Sequence, residues 1–491
     1  MLIEEMLRTT VGWPAGTRVI PDIEELEQDR FRIEHDSIGD KKVPADAYYG
    51  VQTLRAAENF RITGLNMHPE MINSLVQIKK AAAITNARTG TLDPKRCEAI
   101  VKACDEILAG SFRMHFVVDP IQGGAGTSLN MNANEVIANR AIEILGGQKG
   151  DYTIVHPNDH VNLSQSTNDV IPTAGKMTTV RLLLHLRLQL QCLQLALSKK
   201  AEEFDHVIKM GRTQMQDAVP IRLGQEFRAY ADAVTRSIGR IEKAADEMRP
   251  INMGGTAIGT GVNADPAYLR MIVPVLNEVS GMEMVQATDL IDSTQNLDPF
   301  VAVSGAVKSC AVTLSKIAND LRLMSSGPRA GFGEINLPAM QNGSSIMPGK
   351  VNPVIPEVVN QVSFNVIGND LTITLAAEAG QLELNAFEPI IFYNLFQSID
   401  TLGFATETFV DNYITGITAN EERCRDLAEN SVGTVTVLAP VIGYQKAADI
   451  AKKALQQNRS VREVLLEEHV MEPEELSRVL DPVKMTEPFQ S

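Results

Sequence analysis

Aromatic residues are scarce in this sequence: Phe, Tyr and Trp make up 5% of 491 residues, while hydrophobic residues of all kinds reach 44%. An interior filled by Ala, Leu, Ile, Val and Met suits helix packed against helix better than a sandwich of sheets. Cysteine is also sparse. Its five copies, Cys97, Cys104, Cys192, Cys310 and Cys424, are scattered and odd in number. No disulfide framework or zinc-ligand spacing is visible, which leads us to expect a reducing, cytoplasmic setting. There is no cationic excess: 45 Lys and Arg face 61 Asp and Glu, a net charge of −16. That balance argues against nucleic acid or an anionic membrane as the main partner. The opening "MLIEEMLRTTVGWPAG" lacks the basic region and apolar run of a secretion signal, and no later segment is expected to reach membrane-spanning length. Internal repeats, low-complexity tracts, dinucleotide fingerprints and local Ser-His-Asp or Cys-His arrangements are missing too.

What is present is helical rhythm. Leu223, Phe227, Tyr230, Val234, Ile238, Ile241, Ala245 and Met248 recur at steps of three and four. Val303, Val307, Cys310, Leu314, Ile317, Leu321 and Met324 do the same. Both stripes predict long helices packed lengthwise in a bundle. Residues 174–197 are apolar nearly all round, which predicts a helix buried in the middle. Further helices are expected over 354–379 and 390–412. Helices this long and this numerous fit a bundle completed by other subunits better than a monomeric one. Beyond residue 420 the pattern shortens into a small helical lobe. We therefore expect an N-terminal extension (1–30), an N-terminal domain (31–165), a central helical-bundle domain (166–420) and a small C-terminal helical domain (421–491).

Four polar stretches interrupt the rhythm. In "DPIQGGAGTSLNMNANEV" (119–136), Gly123, Gly124 and Gly126 allow close backbone approach, and Thr127, Ser128 and Asn130 offer hydrogen bonds; a helix-initiating turn is the plainer alternative. In "HPNDHVNLSQSTNDVIPTA" (156–174), Ser166, Thr167, Asn168 and Asp169 precede a long helix. One of them suffices as N-cap; the others would face free N–H groups and positive potential, a setting for a carboxylate. His156 and His160 have no third ligand nearby, so no metal is expected. Thr213, Gln214 and Gln216 lie in "KMGRTQMQDAVPIRLGQEF" (209–227). The fourth stretch, "GSSIMPGKVNP" (343–353), carries Ser344, Ser345, Lys350 and Asn352. Arg212, Arg222 and Arg329 are either spare cations or structural ion-pair partners. A site of hydroxyls, amides and one lysine suits clamping a small dicarboxylate and stabilising charge that builds on it.

Taken together, "GGAGTS", "SQSTND", "GRTQMQDAVP" and "GSSIMPGKVNP" in this order resemble the fumarase/aspartase superfamily, from about Arg32 to the C-terminal lobe. The resemblance implies a mainly α, three-domain lyase fold. Its long central bundle would form a twenty-helix core in a homotetramer, with each active site shared by three subunits. "SQSTND" in place of a fumarase-type "GQSSND", together with "VIPEVVNQV" and "AAEAGQLELNAFEP", resembles the aspartate ammonia-lyase branch. That branch interconverts L-aspartate with fumarate and ammonia without an obligatory cofactor or metal; activation by Mg²⁺ leaves no readable signature. Class II fumarase, a non-catalytic structural relative and a metabolite sensor are the rival readings.

By that resemblance Ser344 is the general base, acting through an enediolate (aci-carboxylate) intermediate. Ser345, Thr127, Ser166 and Thr167 hold the β-carboxylate. Lys350 and Asn352 bind the α-carboxylate, and Asn168, Thr213 and Gln214 orient the amino group. Many relatives carry His at the position of Gln214, so no proton-donor role is carried over to it. Pro348 and Pro353 stiffen the loop, and Gly343 and Gly349 provide hinges.

Overall fold

A computed structural model describes residues 31–481 and 484–487. The expected N-terminal extension, with Trp13, lies outside these residues. Sixteen helices longer than one turn dominate the described residues. They are α1 (Val51–Asn59), α2 (Pro69–Arg88), α3 (Pro94–Leu108), α4 (Thr127–Ile144), α5 (Thr167–Glu203), α6 (Leu223–Asp246), α7 (Pro266–Ser280), α8 (Leu290–Gln295), α9 (Asp298–Met324), α10 (Val354–Glu378) and α11 (Glu388–Asn412), followed by α12 (Glu421–Glu429), α13 (Val435–Ile442), α14 (Tyr444–Gln457), α15 (Val461–Glu467) and α16 (Pro473–Val479). Among the described residues, strands occur only as four two-stranded pairs: β1 (Phe31–Asp36) with β2 (Gly39–Pro44), β3 (Ile208–Thr213) with β4 (Gln216–Arg222), β5 (Pro250–Ile251) with β6 (Val285–Gln286), and β7 (Ile335–Asn336) with β8 (Thr418–Ala419).

Local chemistry sets many of the boundaries. The starts of α2, α3 and α7 each pair a capping side chain with proline at the first helical position: His68, Asp93 and Asp265 accept from the N–H two residues on. Gly281, at φ +68°, ends α7 in the left-handed conformation that a side chain disfavours.

The described residues form two compact units. Unit 1 comprises 31–184, 243–305 and 368–399; unit 2 comprises 185–242, 306–367 and the described residues from 400 onward. Every division falls inside one of the five long helices α5, α6, α9, α10 and α11. Their predicted stripes are core: Leu223, Phe227, Tyr230, Val234 and Ile241 on α6, and Val303, Val307, Cys310, Leu314, Ile317 and Leu321 on α9, are all buried. The C-terminal lobe has its own apolar cluster of Leu438, Ile450, Ala454, Val461, Val464, Leu465 and Leu476.

Two expectations need correction. By length and apolarity alone α9 does qualify as a membrane span, with a mean hydropathy of 1.4 over its most apolar 18-residue window. Its stripe is instead spent on packing within the protein, and Lys308 and Lys316 interrupt the outer face. Helix α5 is not enclosed on all sides by its own chain either: Leu184, Leu188 and Leu195 are about half exposed. Helix α10 shows the same feature more strongly. Phe364, Ile367, Leu371 and Leu375 form an exposed apolar stripe opposite the buried Val359, Val366 and Ile373.

Candidate active site

The candidate residues fall into two sets, one in each unit. In unit 1, Ser166 is the N-cap of α5. Its Oγ accepts from Asn168 N at 3.2 Å, and its own N–H donates to Asp169 Oδ1 at 2.9 Å, a reciprocal capping arrangement. Thr167 then opens the helix, and its Oγ1 accepts from Asn130 Nδ2 at 3.3 Å. Asn130 belongs to α4, which starts at Thr127 in the glycine-rich turn. Gly126 has φ +83°, and a Cβ there would come within 2.9 Å of Ile171 Cγ2, so only glycine lets this turn approach α5. Thr127 Oγ1 donates to Gly124 O at 2.7 Å, which fixes the turn while leaving the hydroxyl's acceptor side open.

Sequence reasoning missed a partner segment, Asn252–Ala257. Asp169 is fully buried, and its Oδ2 accepts from Gly254 N and Thr256 N, each at 3.1 Å. Burial pushes its carboxyl up to about 6, with the N–H bonds from Ser166, Thr256 and Gly254 opposing the rise. The signal available in the sequence was Pro172. Proline has no N–H to give to the carbonyl four residues back, so the Asn168 carbonyl needs another donor. Asn252 Nδ2 supplies it at 2.9 Å. Asn168 Nδ2 donates in turn to Ala257 O at 2.7 Å. That bond points the Asn168 side chain's own oxygen, an acceptor, away from the backbone contact. The histidines of the same stretch are structural: His156 Nδ1 accepts from Asn158 N and Asp159 N, and His160 Nδ1 accepts from His156 N.

Unit 2 carries the other two stretches. Thr213 pairs with Gln216 across the β3–β4 hairpin, and the tip residues Gln214 and Met215 have φ of +53° and +65°. Two consecutive side-chain-bearing residues in the left-handed region mark local strain at a candidate site. Arg212, one residue before Thr213, is no spare cation. Its Nη1 donates to Glu334 Oε1 at 2.8 Å, and its guanidinium lies over the Phe332 ring, 4.1 Å from the centroid. Glu334 is fully buried and also faces Lys209 Nζ at 3.5 Å. Arg222 likewise pairs with Asp205 and Glu487.

The fourth stretch, residues 343–353, forms a signature loop that closes on itself. At its neck, Gly343 N donates to Lys350 O at 2.9 Å and Asn352 Nδ2 donates to Gly343 O at 2.6 Å. Residues 339–344 and 347–351, Ser344 and Lys350 among them, line a concavity of about 370 Å³. Ser344 Oγ accepts two backbone N–H groups, from Ile346 at 3.2 Å and Met347 at 3.0 Å. A hydroxyl that already receives two donors is pre-set to carry negative charge on its oxygen. Ser345, Ile346 and Lys350 are exposed, as are Thr213 and Gln214 of the hairpin.

Residues 39–368 match a family model described as lyase, and residues 435–487 match one described as fumarase C C-terminus. An aspartate ammonia-lyase of Bacillus subtilis is 54% identical over 461 residues, 94% of this chain and 97% of the relative. One from Helicobacter pylori is 55% identical over 93% of this chain and 98% of its own length. Among solved structures, a fumarate lyase:delta crystallin from Brucella melitensis superposes with a TM-score of 0.91 at 51% identity, covering 93% of this chain and 100% of that one. A class II fumarase from Schistosoma mansoni gives the same TM-score at 35% identity over 94% and 100%. With the four polar stretches, the helical architecture and these near full-length likenesses in agreement, the chain belongs to the fumarase/aspartase superfamily of lyases.

Proposed function

We propose that the protein is a carbon–nitrogen lyase that interconverts L-aspartate with fumarate and ammonia. The choice of substrate is supported by the relatives: those named as aspartate ammonia-lyases reach 54–55% identity, against 35% for the fumarase. The observation that carries the mechanism is the Ser344 oxygen seated under the Ile346 and Met347 N–H groups. A serine hydroxyl is a poor base until its alkoxide is stabilised, and two oriented N–H donors supply that stabilisation. Ser344 removes a proton from the carbon beside the β-carboxylate. The electron pair passes into that carboxylate as a dianionic aci-carboxylate, and its return forms the double bond as the C–N bond breaks.

The growing charge would be met by Thr127, Ser166, Thr167 and Ser345. Lys350 would hold the α-carboxylate as a point charge, with Asn352 beside it. Asn352 already donates one hydrogen to the loop neck, so its contribution to substrate is the remaining one. The Asn168 carbonyl oxygen would accept from the substrate ammonium, with Thr213 and Gln214 completing that corner. No step is assigned to a cofactor or metal.

We further propose a cytoplasmic homotetramer whose active sites are each assembled from three subunits. This is supported by the exposure of Thr213, Gln214, Ser345 and Lys350 in the single chain and by the unpaired apolar stripe on α10. The test is fumarate absorbance with purified protein given aspartate or malate. Formation from aspartate is expected; formation from malate alone would replace this reading with a hydratase.

A further inference from the structure

The least expected group in unit 1 is a lysine with no carboxylate in direct contact. Lys79, on α2, is fully buried, and its Nζ donates to Asn162 Oδ1 at 2.8 Å and Gln165 Oε1 at 3.0 Å. Both acceptors are neutral amides, and among the described residues no carboxylate lies within ion-pair distance of Nζ. Lysine is almost never fully buried unless it is paired, and an uncompensated charge in an interior is costly.

The lysine's neighbours show what it grips. Asn86, seven residues along and so on the same face of α2, donates from Nδ2 to Leu163 O at 2.9 Å, and its Oδ1 accepts from Ser164 Oγ at 2.8 Å. Asn162 Oδ1 also receives Asn130 Nδ2 and Asn134 Nδ2, each at 3.2 Å. Gln165 Nε2 donates to Val161 O and Leu163 O. The loop so held runs directly into Ser166 and Thr167, whose other end is tied down by the buried Asp169.

We propose that Lys79 is a positioning residue for Ser166 and Thr167, and that its missing counter-charge is the carboxylate of the bound substrate. The proposal rests on the reading of Ser166 and Thr167 as carboxylate ligands. Burial lowers the Lys79 ammonium to about 7, with the nearby Asp169 on α5 and then Cys104 on α3 opposing the fall. Asp169 in turn faces Tyr268 of α7, and the gripped loop offers only amides and a hydroxyl. Above neutral pH the free protein therefore holds Lys79 largely as the amine, whose two N–H groups match its two acceptors. A dicarboxylate arriving in front of this loop favours the ammonium, so binding draws in a proton.

The experiment is calorimetric titration of the assembled protein at pH 8 with succinate, a dicarboxylate that cannot react. It is run in two buffers of different ionisation enthalpy, which gives the protons taken up per site. Wild type is expected to take up roughly half a proton or more, and Lys79→Met close to none. Turnover of aspartate by Lys79→Met should fall on the order of 100-fold, with a smaller change in KM. Equal proton uptake by the two proteins, or a kcat for the variant within about threefold of wild type, overturns the proposal. If Lys79→Met does not fold, Lys79→Gln, a neutral side chain that still carries N–H donors, is carried through the same titration. Lys79-dependent proton uptake in a wild type that forms no fumarate from aspartate would instead overturn the proposed reaction and leave Lys79's assignment standing.

Discussion

Replacing Gly343 by alanine tests whether the self-closed shape of the signature loop matters to turnover. A Cβ at this position would lie 2.3 Å from Lys350 O and 2.9 Å from Asn352 N. Both are backbone atoms of the opposite side of the neck, so relief requires the neck to open by about an ångström. Opening sacrifices the Gly343 N to Lys350 O bond and the Asn352 Nδ2 to Gly343 O bond. At about 0.5–1.5 kcal/mol each, their loss disfavours the closed loop by about 1–3 kcal/mol, or roughly 5- to 150-fold in its population. If the closed neck is what aims Ser344 and Lys350, kcat/KM for aspartate falls by that factor. The loop is exposed, so the thermal midpoint should hardly move. Gly349→Ala is the matched comparison. Gly349 has φ +80° but open space where a Cβ would stand, so only the backbone penalty of about 1 kcal/mol applies. The assay is initial-rate fumarate absorbance with a melting curve on each variant. A Gly343→Ala protein that turns over within about threefold of wild type, or one less impaired than Gly349→Ala, would refute the reasoning.

Ser344→Ala should abolish turnover while leaving the fold and assembly unchanged; sedimentation and melting curves check the latter, and near-normal rates would remove Ser344 as base. Lys350→Ala should raise KM for aspartate more than it lowers kcat, and an unchanged KM would contradict its carboxylate role. Glu135→Gln should show a pH-dependent gain relative to wild type. Glu135 is fully buried against the Gly50, Gln52 and Thr53 N–H groups, and burial pushes its carboxyl up to about 7. A folded value above the unfolded one near 4.5 means that wild type loses stability as pH rises from about 4.5 to 7. The variant lacks that loss, so the difference in unfolding free energy should shift its way by about 3 kcal/mol across this window. Denaturant titrations at the two ends of the window measure it.

Much of the fold was legible because the long helices carry single apolar stripes: Leu223 to Met248 and Val303 to Met324 are periodic in the sequence and, apart from the half-buried Ile238 and Ala245, buried in the structure. What periodicity could not decide was how far one chain encloses those helices. Leu184, Leu188 and Leu195 read as core, yet they face outward, because apolarity records that a surface is to be covered and not by which molecule. The candidate site was proposed from the sequence as four polar stretches and their residues. Its supports were not, since Asn252, Asp169 and Lys79 act through three-dimensional neighbours 84, 87 and 83 residues away in sequence. Pro172 carried an unread signal: its missing donor leaves the Asn168 carbonyl to be met by Asn252.

The buried Glu334 has a consequence for recombining this chain with its relatives. Its carboxylate answers Arg212 and Lys209 on the strand that ends in Thr213, while its backbone N–H caps the end of α9 through Met324 O and its carbonyl accepts from Asn420 N. The hairpin, the approach to the signature loop and the entrance to the C-terminal lobe therefore share one ionic fastening. A chimaera that imports a foreign hairpin without the matching acid, or a foreign loop without the matching cations, inherits an unneutralised charge in its interior. The two stretches have to be exchanged as a set, however far apart they lie in the sequence.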